Sequence, residues 1–113
     1  MSLDWDGIVA HALSLAGTEA GSSYGQPAVK ANGHTMISPG REAGSFCLHI
    51  DRDTVEMLKE TDPETFWQTP HYEGWPSVLV RFDSPDPDRV YAMIERSRDW
   101  CLTRPKARPR KKG

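Results

Sequence analysis

The dipeptide Asn32-Gly33 constrains this chain most. It stands between Ala28-Val29-Lys30-Ala31 and His34-Thr35-Met36-Ile37. Asn-Gly supplies positive φ at both central positions of a type I′ turn, whose twist matches that of two antiparallel strands. The pair therefore predicts a hairpin, with Val29 opposite Met36 and Lys30 opposite Thr35. One face is then apolar and the other polar, as a half-buried sheet requires. A hairpin this near the start excludes an all-helical fold and makes antiparallel pairing the organising principle.

The other elements follow from periodicity. Trp5, Ile8, Val9, Ala12, Leu13 and Ala16 recur at helical spacing and predict a helix over 4–16, capped by Asp4 and ended by Gly17, with His11 facing solvent. Residues 17–27, with Gly17, Gly21, Ser22, Ser23, Gly25 and Pro27, read as a loop. They do not form a phosphate-binding loop, since no Lys-Ser/Thr follows at the required spacing. Phe46, Leu48 and Ile50 alternate with Cys47 and His49 in a third strand. A helix follows through residue 60, capped by Asp51 or by Asp53, the latter with Glu56 as a variant capping box. Phe66–Thr69 is a possible short strand, and Val78, Val80 and Phe82 mark a clear one, with Leu79 pointing to cover on its second face. Asp86 and Pro87 open a last helix, whose stripe of Val90, Met93, Ile94, Ser97 and Cys101 stops near Thr103. The order is helix, hairpin, strand, helix, one or two strands, helix. That is an α+β fold, an antiparallel sheet of four to five strands with about three helices packed on it.

At 113 residues the chain fits one domain, expected over residues 1–103. No apolar run approaches the roughly 20 residues of a membrane span. With two cysteines there is no disulfide framework, and a cytoplasmic setting without membrane contact is expected. Charge is sharply partitioned. The first 103 residues hold all 16 acidic and 8 of the 14 basic residues, a net of -8. The last ten hold Arg104, Lys106, Arg108, Arg110, Lys111 and Lys112, a net of +6. The tail over 104–113 is expected to be disordered, Pro105 and Pro109 opposing helix. It serves either as a solubilising end or as a contact for nucleic acid or an acidic partner.

Chemistry-bearing constellations are few. Cys47 and His49 share a strand face, but His34, His71 and Cys101 lie scattered, so neither a metal site nor a cofactor is expected. Cys101 falls on the apolar stripe of the last helix, where thiols are usually buried and inert. No nucleophile motif appears, and no enzymatic activity is expected. Trp67, His71, Tyr72 and Trp75 cluster in nine residues. They can pack under a loop as satellite core, the preferred reading for so polar a chain, or, with Tyr24, line a groove for a small molecule or protein. The hairpin tip, with Lys30, His34 and nearby Arg41, can act as a wing on backbone phosphates or remain an ordinary exposed hairpin.

Taken together, Tyr24-Gly25-Gln26-Pro27, Val29 to Met36, the Phe46–Ile50 strand, Asp62-Pro63 and His71-Tyr72-Glu73-Gly74-Trp75-Pro76-Ser77-Val78-Leu79-Val80 resemble the MmcQ/YjbR-like family, a domain of unknown function. The resemblance spans about residues 3–103. It implies a curved antiparallel sheet with helices packed against it, and a double-wing arrangement associated with DNA binding. It implies no catalytic residue and no cofactor. One wing would be the hairpin with Lys30 and His34. The other would be the loop ending at Trp75, with Arg81 on the following strand. Some relatives carry lysines just before this tryptophan, whereas this chain has Glu73-Gly74. Charge contact with DNA is therefore expected to be weak, non-specific and shifted to Arg104–Lys112.

Overall fold

The computed structural model describes residues 3–23, 25–40, 44–70 and 74–105. Three helices and six strands alternate as α1 (Trp5–Leu13), β1 (Thr18–Ser23), β2 (Gln26–Ala31), β3 (His34–Pro39), β4 (Ser45–His49), α2 (Arg52–Thr61), β5 (Phe66–Trp67), β6 (Ser77–Arg81) and α3 (Pro87–Thr103). The strands form one antiparallel sheet in the order β1-β2-β3-β4-β6-β5. The α+β class is as expected, but the sheet has six strands where four to five were expected.

The additional strand is β1, inside the segment read as a loop. Thr-Glu-Ala-Gly-Ser-Ser carries no apolar alternation, yet all six of its residues pair with β2. β1 is an edge strand and residues 19–22 are exposed, so pairing with β2 supplies its order and no apolar face is needed.

The hairpin turn forms as expected, with Asn32 at φ 55° and Gly33 at φ 80°. Lys30 lies opposite Thr35, but Val29 faces Ile37, not Met36, because the register shifts between Val29 and Lys30. The extra residue lets Met36 and Ile37 both reach the core, where each is fully buried. Simple alternation would have sent one of them to the other face.

Helix boundaries follow caps. Asp4 accepts from the Gly7 amide at 2.7 Å and opens α1. The helix ends at Leu13, earlier than its apolar stripe suggests. Ser14 Oγ donates to the His11 carbonyl, and Thr18 Oγ1 contacts the carbonyls of Ala12 and Leu15, each at 2.8 Å. His11 is half-buried, not solvent-facing: its ring lies 4.4 Å from Tyr91 and its Nε2 lies 3.1 Å from Glu95. Asp51, not Asp53, caps α2, accepting from the Thr54 amide at 3.0 Å. Asp86 and Pro87 open α3 as expected, with Asp86 accepting from the Arg89 amide at 3.2 Å.

Ile8 of α1, Val55 and Leu58 of α2, and Val90 and Ile94 of α3 pack on Phe46, Leu48, Phe66, Val78 and Val80. All but Val55 are fully buried, and Val55 nearly so. Cys47 and Leu79 alternate with these strand residues and point to the second face. Leu79 is nonetheless fully buried, which fits the cover expected there. Trp67 stands beside it in register.

Candidate functional site

The hairpin tip is docked on the end of α3. A helix leaves its last carbonyls without intrahelical donors. Here the Asn32 side-chain amide donates to the carbonyl of Cys101 at 3.1 Å and of Arg104 at 2.7 Å. His34 Nε2 donates to the Pro105 carbonyl at 2.7 Å. The Arg104 guanidinium lies over the Trp100 ring at 4.6 Å. The root of the basic segment is thereby fixed beside the hairpin.

Strand register sorts the candidate cations onto two faces. Lys30, opposite Thr35, points away from the helices, while His34, opposite the core residue Ala31, points toward them. Arg81 is exposed on the second face of β6 and lies 5.2 Å from the Trp67 ring. β2 and β6 are three strand spacings apart, about 14 Å. The structure thus joins Asn32 to Arg104 and His34 to Pro105, turns Lys30 onto the sheet face away from the helices, and leaves Arg81 separate. Arg81 also lines a shallow depression of about 340 Å³ with Glu64, Asp83 and Pro85. Two carboxylates beside it weaken its attraction for phosphate.

Trp75 is 64% exposed. This overturns the packing reading for that residue, while half-buried Trp67 is partly consistent with it. Gln68, the residue after Trp67, ties the end of β5 to the backbone of the Trp75–Ser77 segment: its Nε2 donates to the carbonyls of Trp75 at 3.3 Å and Ser77 at 2.7 Å, and its Oε1 accepts from Lys59 at 2.8 Å. Tyr24, Arg41, His71, Tyr72, Lys106, Arg108, Arg110, Lys111 and Lys112 lie outside the described residues.

Cys47 Sγ lies 3.8 Å from His49 Nε2. Among the described residues no group of three or more His, Cys, Asp or Glu side chains converges to hold a metal ion. Burial, with a smaller contribution from the Arg104 guanidinium, lowers His49 to about 4. The ring is therefore neutral near pH 7 and adds nothing to the positive potential. Burial pushes the Cys101 thiol up, against the opposing pull of Arg104 and of Ser97, so it is a poor nucleophile.

Asn32 was legible only as a turn former. Its second role, as the cap of a helix 69 positions away, depends on tertiary docking that no local signal announces.

No helix among the described residues is long and apolar enough to cross a membrane. No curated protein and no solved structure matches the chain significantly. The family model YjbR matches residues 13–100, more than three quarters of the sequence, and the sheet carries the hairpin, strand and helix order on which the resemblance rested. The chain belongs to the YjbR family.

Proposed function

We propose that this protein is a non-enzymatic DNA-binding module of the cytoplasm that holds the duplex weakly and without sequence preference, through charge. One observation carries the reading: Asn32 and His34 fasten Arg104 and Pro105 to the hairpin tip. The cationic segment beginning at Arg104 therefore starts at the hairpin tip, at one end of a domain that is otherwise strongly acidic. A polyanion is attracted to that end and repelled elsewhere, which orients the protein on DNA. In this reading the hairpin serves as one wing by positioning the tail through Asn32 and His34, and the tail cations make the phosphate contacts. Phosphate contacts of this kind fix position and carry no sequence information. The test is anisotropy titration of a labelled duplex at low salt. It compares the full chain with a full-length variant in which Lys106, Arg108, Arg110, Lys111 and Lys112 are glutamine. The reading requires binding by the first and its loss in the second.

A second reading is favoured by the exposure of Trp75. Together with Trp67 and the overlying Arg81, it offers an aromatic and cationic surface to a small molecule or protein. In that case Trp75→Ala removes binding and added salt matters little.

A further inference from the structure

We propose that the chain forms a symmetric dimer by antiparallel pairing of β1 with β1 of a second copy, with Ala20 on the two-fold axis. The two sheet edges are unlike. β5 is only two residues long, which blunts that edge. β1 is six residues long, and residues 19–22 are exposed. It contains no proline or lysine, the usual guards of an open edge. Its outward N–H and C=O groups have no backbone partner among the described residues beyond the β1–β2 ladder.

Charge and shape select a second copy as the occupant and fix the register. Glu19 and Lys30 are cross-strand partners, yet no ion pair joins them, and neither has another among the described residues. The Lys30 stem instead leans diagonally over Gly21. A Cβ at Gly21 would fall 3.2 Å from Lys30 Cδ and 3.4 Å from Cε. The missing side chain is a notch that carries the ammonium toward the free edge.

A two-fold axis perpendicular to the sheet keeps the helices of both copies on one side. Facing residues must then share a sheet face, so one residue of β1 faces itself. With Glu19 on the axis, two carboxylates oppose each other. With Gly21 on the axis, the two Lys30 ammonium groups converge. With Ala20 on the axis, Glu19 stands opposite Gly21 of the partner subunit, where the lysine of that copy arrives. Two Glu19–Lys30 pairs between subunits then flank the axis, and Thr18 faces Ser22 of the partner subunit. Opposite charges placed directly across strands are favourable, and like charges unfavourable. Self-complementarity of this kind is what an isologous interface needs.

Sedimentation equilibrium of the full chain, with two charge variants and two cysteine variants, tests the dimer. The expected mass is twice the 12.7 kDa of the chain. Glu19→Lys raises the dimer dissociation constant about tenfold or more, and Glu19→Lys with Lys30→Glu restores it. Facing Cα atoms on an antiparallel pair lie about 4.5–5.5 Å apart, within disulfide reach. Mild oxidation therefore links Ala20→Cys into a covalent dimer and leaves Ser22→Cys unlinked. A chain that stays monomeric at millimolar concentration overturns the proposal. So does a dimer indifferent to Glu19→Lys, or cross-linking that favours position 22.

Discussion

The Asn32 side-chain amide lies 3.1 Å from the carbonyl of Cys101, so one residue both turns a hairpin and caps the last helix. The two roles separate by substitution. Asn32→Gly keeps the left-handed backbone that φ 55° demands but removes the cap. It is expected to lower unfolding free energy by about 1 kcal/mol. Asn32→Ala loses the cap and strains the turn as well, for about 2 kcal/mol in total. Urea denaturation of both variants checks the order; equal stability of wild type and Asn32→Gly would show that the cap contributes nothing.

Stability should fall on mild acidification through His49. Its folded-state value is about 4, below the ordinary 6.5. Above 6.5 the ring is neutral in both states and no difference arises. Between 6.5 and 4 the unfolded chain takes up a proton that the folded chain refuses, so stability is lost as pH drops. Allowing for the half-buried ring, the loss is about 1–2 kcal/mol. Thermal melts at pH 7 and pH 4.5 should show this step in the wild type and a smaller one in His49→Gln.

The two tryptophans near β5 and β6 should behave oppositely. Trp75 is 64% exposed, so Trp75→Ala should change stability by less than about 0.5 kcal/mol. Trp67 is half-buried, stands in register with Leu79, and carries Arg81 at 5.2 Å. Trp67→Ala is expected to cost about 2 kcal/mol. Chemical denaturation of both variants decides it, and a large loss at Trp75 would return that residue to the core.

Elements with a strong local cause were legible in the sequence. Asn32-Gly33 gave the turn, Asp86-Pro87 the start of α3, and the Phe46–Ile50 alternation a strand. What escaped was set by tertiary pairing. β1 has no apolar face to betray it, because it takes its order from β2. The bulge at Met36 breaks an alternation that looked regular, and only the packed core shows why both Met36 and Ile37 turn inward. In the candidate site, Lys30 and His34 were named from their place at the hairpin tip and from the family resemblance, and Arg104 from charge alone. Their sorting onto two faces, and the fastening of the α3 end to the hairpin, arise from contacts between residues about 70 positions apart in sequence.

The salt dependence of duplex binding tests the central claim most directly. Six cations from Arg104 to Lys112, all engaged, give log Kobs against log salt a slope of about -5 on duplex DNA. The account predicts that slope for the wild type, and a slope near -1 with far weaker binding once residues 106–112 lose their charge. A shallow slope in the wild type, or a steep one that survives neutralisation of the tail, would contradict it.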